Sequence, residues 1–242
     1  MADPRSNNGS PWSVRIVAET GSTNTDLLAE AAAGAPHGSV LVTDHQTAGK
    51  GRLGRIWDAP PGSNLLVSVL FREGFDPAHP HELTQRAAVA AARAAERLAG
   101  VTPELKWPND LLLDGAKMAG ILAQAGASGG ATVDHVVVGM GLNLGWAPQG
   151  AARLAGVTRD DFLAAWLGEL AAGLAAGPIA PEYRRRLATL GQAVRVELPD
   201  GSFEGVAVDV TADGALVVEL ASGERRPVSA GDVGHLRPAS GT

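Results

Sequence analysis

The chain contains no cysteine. Disulfide scaffolding, thiolate nucleophiles and cysteine-ligated zinc or iron–sulfur sites are therefore excluded. No stretch approaches the roughly 18 apolar residues of a membrane-spanning helix. The opening MADPRSNNGSPW places no apolar segment behind a basic flank, so no secretory signal is expected. A soluble cytoplasmic protein is the expectation. Positive charge is in deficit, with 20 Lys and Arg against 26 Asp and Glu, a formal net charge of -6. That balance argues against a surface built throughout to grip nucleic acid, while leaving room for a local basic loop. The six histidines form no H-E-x-x-H arrangement, and His79 and His81 stand merely two apart. No G-x-S-x-G elbow is present, so a serine hydrolase has little support.

What is present suffices for a packed core: 242 residues, 45% of them apolar. Residues 1–13 read as a flexible arm and 239–242 as a tail. Strands are expected at 14–17, 39–43, 65–71 and 133–140, and helices at 26–33, 81–98, 161–175 and 181–190. Ser22 or Thr23 is placed to cap the first helix. Phe162, Trp166, Leu170 and Leu174 recur every four residues, which makes that tryptophan a core residue rather than a ligand contact. Asp114-Gly115 separates two apolar runs and signals a hairpin, and residues 125–131 read as a flexible turn. From about residue 191 the pattern becomes short alternating strands, with Val194, Val196 and Leu198, then Val206, Val208 and Val210, then Leu216, Val218 and Leu220 facing inward. Asp200-Gly201 and Asp213-Gly214 mark the turns between them. These strands predict a small barrel, giving a main domain at 14–190 and a second at 191–238.

The most unusual segment is Gly49-Lys50-Gly51-Arg52-Leu53-Gly54-Arg55, three cations among three glycines in an acidic chain. Glycine lets backbone amides approach an anion, and Lys and Arg neutralise phosphate or carboxylate. The spacing is not that of a Walker A loop, because Asp44 stands where the first glycine belongs and no Ser or Thr follows Lys50. A solvated basic loop is the plain alternative. Lys106-Trp107-Pro108-Asn109-Asp110 is a second dense cluster. Its carboxylate beside a lysine-bearing strand suits Mg²⁺ and phosphate oxygens, although Pro-Asn-Asp is also an ordinary turn. Lys117 is either the exposed edge of a turn or, if it points into a closed site, a group that stabilises charge on a transferred phosphoryl. Gly139-Met140-Gly141-Leu142-Asn143 has the outline of a dinucleotide fingerprint, but Leu144 takes the place of the third glycine, which discounts a Rossmann site.

Taken together these segments resemble the biotin protein ligases. The resemblance runs through Gly21-Ser22-Thr23-Asn24, Gln46-Thr47-Ala48-Gly49-Lys50-Gly51-Arg52, Gly54-Arg55 and Trp57, and the Lys106 cluster. It continues through Lys117-Met118-Ala119-Gly120-Ile121-Leu122 and Gly139 to Asn143, in the family's order from about residue 14 to 238. It implies an α+β fold with a mixed-sheet catalytic domain of the biotin/lipoate ligase type, similar to class II aminoacyl-tRNA synthetases, and a small C-terminal SH3-like β-barrel. It also implies an ATP-dependent ligase that activates biotin as biotinyl-5′-AMP and transfers it to a lysine of a biotin carboxyl carrier domain, such as that of acetyl-CoA carboxylase.

On the same resemblance, Lys117 and Arg52 are the catalytic residues. Ser22, Thr23, Asn24, Gln46, Gly49, Lys50, Gly51, Gly120 and Gly139 join them around biotin. Arg55, Trp57, Lys106, Asn109, Asp110 and Asn143 join them around ATP, Asp110 lying near Mg²⁺ held on the phosphates, and Gly141 packs close to ligand. Lys50 stands where many members carry Arg, and Leu53 replaces a basic residue found in some. With about 13 residues before the first strand, no DNA-binding domain is expected. A weak homodimer is allowed. The C-terminal barrel helps order ATP or meets the carrier, unless it is a bare stabilising appendage. Two alternatives stand beside this reading: a lipoate or octanoyl transfer enzyme of the same architecture, and a nucleotide- or RNA-binding module without catalysis.

Overall fold

The structure is a computed structural model that describes residues 10–73, 75–76, 81–127, 133–198, 201–211, 214–229 and 232–235. The first nine residues of the N-terminal arm, His79, the end of the turn at 125–131, Asp200, Asp213 and the tail at 239–242 lie outside the described residues. In chain order the elements begin with β1 (Ser13–Thr20), α1 (Thr23–Ala32), β2 (Ser39–Gln46), a 3₁₀ turn (Arg52–Gly54) and β3 (Leu65–Phe71). They continue with α2 (His81–Ala99), β4 (Glu104–Lys106), β5 (Asp110–Leu113), β6 (Ala116–Gly126) and β7 (His135–Leu142). Then come α3 (Arg159–Ala175), α4 (Ala180–Arg186), β8 (Ala193–Leu198), β9 (Gly201–Val210), β10 (Leu216–Glu219), β11 (Arg225–Val228) and β12 (Asp232–His235).

Seven strands form a mixed sheet in the order β1-β2-β3-β7-β6-β5-β4, in which the β1–β2 pair is parallel and the rest antiparallel. Asp114 and Gly115 both take positive φ, 52° and 75°, as the two-residue hairpin between β5 and β6 requires. One face of the sheet is fully covered. Val67, Val69 and Phe71 of β3 and Val136, Val138 and Met140 of β7 point into a core roofed by α2 and α3. The alanine-rich face of α2 lies close to the sheet, and Trp166 is buried there, its Nε1 donating to the Ala87 carbonyl at 3.1 Å. α3 begins where Thr158 accepts from the Asp161 amide and two aspartates enter the first turn.

The other face is covered in part. α1 lays Leu27 and Ala31 against Leu41, Leu70 and Val137, and nothing helical continues beyond it over Gly139 and Gly141. That gap positions the site described below.

The C-terminal strands pair in the order β11-β10-β9-β8-β12, all antiparallel. The expected closed barrel is not formed: β11 and β12 lie at opposite edges, and no sheet closes on itself among the described residues. Alternation reports one buried face, whichever layer buries it. Here Val194, Val196, Leu216 and Val218 join the same continuous core as Tyr183 and Leu187 of the main domain, so closure is not needed to keep them dry.

The expected inward set on β9 also needs correction. Between Val217 and Val218 the β9–β10 register slips, pairing Asp209 and then Ala207, so that Val208 is the extra residue. Beyond the slip Ala207 turns inward and Val206 is exposed. The last predicted helix is shorter than expected, since the chain leaves α4 at Leu187, whose backbone bridges to Leu105.

α2 and α4 are tied by Glu182, which accepts from Arg93 and, at 3.1 Å, from Arg186, itself paired to Glu96 at 2.6 Å. Burial works to raise the Glu182 carboxyl, but the hydrogen bonds and charges of the two arginines outweigh it and hold it below its ordinary value. Its contribution is therefore complete above the unfolded carboxyl pKa and is lost as pH falls through the depressed folded value. Glu182→Gln is expected to cost about 1–3 kcal/mol near neutrality. Urea melts at falling pH should show wild type and variant converging in the acid range.

Candidate functional site

The uncovered part of the sheet forms the floor of a cavity of about 300 Å³. Gly120 on β6 pairs in register with Gly141 on β7, and Gly139 lies one inward-facing position along. These three positions give a side-chain-free patch on which larger groups can rest. The Trp57 indole does so: a Cβ added at Gly141 would meet its ring at 2.3 Å, and one at Gly120 at 3.1 Å. At Gly139 a Cβ would fall 2.0 Å from Asn24 Oδ1.

The closed end of the cavity is polar and neutral. Ser22, Thr23 and Asn24 are buried at the start of α1. Neither Ser22 nor Thr23 caps α1 as expected: Ser22 stands at the N-cap without a side-chain bond, and the Thr23 amide donates to Gln46 Oε1 of β2 at 2.8 Å. Relieved of capping, the Ser22 hydroxyl is available to the cavity it lines. Asn24 Nδ2 donates to the Leu122 carbonyl at 3.1 Å and to Gln124 Oε1 at 2.9 Å.

The open end is cationic. Lys50, Arg52, Arg55, Lys106 and Lys117 all line the cavity, against the carboxylate of Asp110. The basic loop is a closed turn rather than a free tether: the Trp57 amide donates to the Gly49 carbonyl at 3.0 Å and the Gly51 amide to Arg55 O at 2.7 Å. Gly49 itself does not line the cavity. Its backbone passes so close to Trp57 O that a Cβ would lie 2.2 Å away, so its role is to shape the turn. Leu53 takes a left-handed φ of 54° and is 65% exposed, and Ile56 is 80% exposed. The Arg52 guanidinium lies 6.0 Å from the centre of the Trp107 ring, within cation–π reach.

Lys117 reaches the cavity because β6 is irregular. β5 residues Leu111 and Leu112 pair with Ala119 and Lys117, leaving Met118 unmatched. Strict alternation from Gly120 would turn Met118 to the cavity and Lys117 to the core; the bulge exchanges them. Met118 is fully buried, while Lys117 Nζ stands 2.7 Å from Asp110 Oδ1 and 5.5 Å from the centre of the Trp57 ring. Asn109 is held against the same strand, its Nδ2 donating to Ile121 O at 2.7 Å and its own carbonyl accepting from the Ile121 amide.

All but two of the residues expected at the site line this one cavity. The exceptions are Gly49 and Asn143. Asn143 is buried behind the floor, where its Nδ2 donates to Ala152 O at 2.9 Å and its Oδ1 accepts from Asn64. It organises the loops after β7 rather than presenting an amide to the cavity. Sequence reading missed Val233 and Gly234 of β12, which bring the second sheet to the rim. It also missed Ser68 beneath the floor, for which a hydroxyl within an otherwise apolar strand was the available signal.

A neutral polar recess that opens onto a ring of cations defines a site for a ligand with a hydrogen-bonding head and an anionic tail, beside a polyanionic co-substrate. The model of the biotin/lipoate A/B protein ligase family matches residues 17–143, and that of the biotin protein ligase C-terminal domain matches 189–236. The chain belongs to this family. It is 40% identical to the biotin–[acetyl-CoA-carboxylase] ligase of Mycobacterium tuberculosis, over 95% of this chain and 91% of that protein. It is 31% identical to the ligase of the same description from Paracoccus denitrificans, over 90% and 98%. The biotin protein ligase of Aquifex aeolicus, solved with biotin and ATP, shares the fold with a TM-score of 0.77 at 24% identity, over 93% of this chain and 99% of that one.

The Gly139–Asn24 contact yields a direct test. Gly139→Ala is expected to cost about 1–3 kcal/mol, because the added methyl drives Asn24 off β7. Removing the obstructing amide in the double variant Gly139→Ala, Asn24→Ala should destabilise by about 1 kcal/mol less than the sum of the single changes, read from urea unfolding.

Proposed function

We infer that this chain is an ATP-dependent biotin protein ligase, which forms biotinyl-5′-AMP with release of pyrophosphate and transfers biotin to a lysine of a carrier protein. The observation that carries this reading is the charge of one cavity: five cations against one carboxylate in a chain of net charge -6. In the first step a biotin carboxylate oxygen attacks the α-phosphorus of ATP and pyrophosphate departs. A carboxylate and a triphosphate repel one another, and Lys50, Arg52, Arg55, Lys106 and Lys117 offset that repulsion and the charge that grows in the transition state. Lys117, held by Asp110 on the bulged strand, is assigned to the carboxylate–phosphate junction, and Arg52, stacked near Trp107, to retention of the adenylate. In the second step the acceptor amine attacks the acyl carbon, the amide bond forms, AMP leaves and the amine proton is lost to solvent. The mixed anhydride is already activated, so no enzyme thiol is needed.

The neutral head fits the recess of Ser22, Thr23, Asn24 and Gln46. This recess favours the ureido ring of biotin over the dithiolane of lipoate, which offers no N–H or carbonyl to such groups. Among the described residues no three His, Cys, Asp or Glu side chains converge to hold a metal. Mg²⁺ would therefore come with the phosphates of ATP, with Asp110 as the nearby carboxylate. No helix among the described residues is long and apolar enough to cross a membrane. Residues 14–190 would carry the chemistry, with 191–238 completing the rim. The carrier would be a biotin carboxyl carrier domain of the acetyl-CoA carboxylase type.

Incubation with ATP, Mg²⁺, biotin and a purified carrier domain should add one biotin to the carrier by intact mass; an unmodified carrier with no pyrophosphate released would refute the assignment. Lys117→Ala should lower biotin-dependent pyrophosphate release by about 10³-fold or more, with a melting temperature close to wild type.

A further inference from the structure

Beneath the recess lies a hydroxyl that does not line the cavity. Ser68 of β3 is fully buried, its Oγ 2.6 Å from Asn24 Oδ1 and 2.7 Å from Thr23 Oγ1. Both contacts are short enough to require a hydrogen, and the surrounding groups decide where each one sits. The Leu122 carbonyl accepts only, so the Asn24 atom facing it at 3.1 Å is the amide nitrogen. Asn24 Oδ1 is therefore a pure acceptor, and the single Ser68 proton is donated to it. The remaining 2.7 Å contact then takes its hydrogen from Thr23, whose hydroxyl donates to Ser68 Oγ.

This order has a consequence inside the cavity. Gln46 Oε1 is fixed by accepting the Thr23 amide at 2.8 Å, and it lies 3.1 Å from Thr23 Oγ1. With the Thr23 proton committed to Ser68, these two oxygens face each other as acceptors. Their lone pairs repel until a donor is placed against them, and an N–H satisfies that need. The Gln46 amide nitrogen, on the other arm of the same side chain, supplies donors for an adjoining carbonyl.

We propose that Ser68 is a positioning residue that holds the Thr23 hydroxyl as an acceptor toward the cavity and so selects a head group presenting an N–H. This rests on the biotin ligase reading and deepens it: the ureido N–H, rather than ring shape, is what the recess demands. Ser68→Ala frees the Thr23 proton to donate to Gln46 or to a ligand oxygen, relaxing the demand while leaving the cavity walls in place.

The test is calorimetric titration of the full chain with biotin and with the two cyclic carbamate analogues in which one ureido N–H is replaced by ring oxygen. For the wild type, one analogue should bind at least about 100-fold more weakly than biotin, because it sets oxygen against an acceptor pair. In Ser68→Ala, biotin should weaken by about tenfold and the gap to that analogue should shrink by about tenfold or more. In steady state the KM for biotin should rise while that for ATP does not move. Thr23→Val removes the acceptor from the other end of the relay, and should narrow the same gap even if Ser68→Ala does not fold. A discrimination ratio equal to wild type in either folded variant overturns the proposal, whatever happens to absolute affinity. A wild-type chain that binds no biotin overturns the functional reading and this assignment with it, whereas normal binding with an unchanged ratio overturns this assignment alone.

Discussion

The site depends on the absence of side chains at three positions. Gly120, Gly139 and Gly141 bare the backbone of two adjacent strands where α1 stops covering the sheet. A Cβ at any of them would come within 2.0 to 3.1 Å of Trp57 or Asn24, closer than ordinary van der Waals contact allows. Because the floor is flat, the indole can lie across it and Asn24 can tuck against β7. The polar recess and the cationic rim are then two ends of one trough rather than separate pockets. A strand of ordinary alternation would fill this space with a second layer of core and leave a more stable sheet with no site.

The second constraint is a local defect. The bulge at Met118 puts an apolar side chain in the core and a cation in the trough, which unbroken pairing would reverse. Its cost in ladder hydrogen bonding is set against the placement of one charge beside Asp110, at 2.7 Å. The tilt toward positive charge in this trough, inside a chain of net charge -6, therefore has local structural causes: a glycine-shaped turn carrying Lys50, Arg52 and Arg55, and one bulge carrying Lys117.

What could be read from the sequence follows from this. The glycines and charged residues of the turns are legible, because few other reasons place a cation between glycines, and nearly all the residues so marked meet in one cavity. The helices were legible from their period, α4 excepted, where the chain turns away at Leu187 to bridge β4. Three features were hidden for one reason: alternation specifies that a face is buried but not what buries it. It could not distinguish a closed barrel from an open sheet laid on the main core. Nor could it locate the slips at Val208 and Met118, each of which inverts the facing of the residues beyond it. Asn143 carried a motif-like position, yet its amide is consumed by Ala152 and Asn64, and only coordinates reveal such a commitment.

The open second sheet reaches the rim of the trough along an edge that closure would have paired away. A barrel satisfies its own edges and its own interior, and it meets a neighbour only through its outer surface. Here the inner face is shared with the main core, and the edge strand β12 brings Val233 and Gly234 to the rim of the trough. Trp107 joins the two parts: its Nε1 donates to Gly214 O at 2.9 Å, its backbone amide donates to Thr189 Oγ1 at 3.0 Å, and its ring centre lies 6.0 Å from the Arg52 guanidinium. An adenylate survives only where water is kept from its anhydride. The cation we assign to retain it lies 6.0 Å from the centre of a ring whose indole N–H is bonded to Gly214 of the second sheet's β9–β10 turn, so the contribution we propose for the C-terminal strands is made through packing.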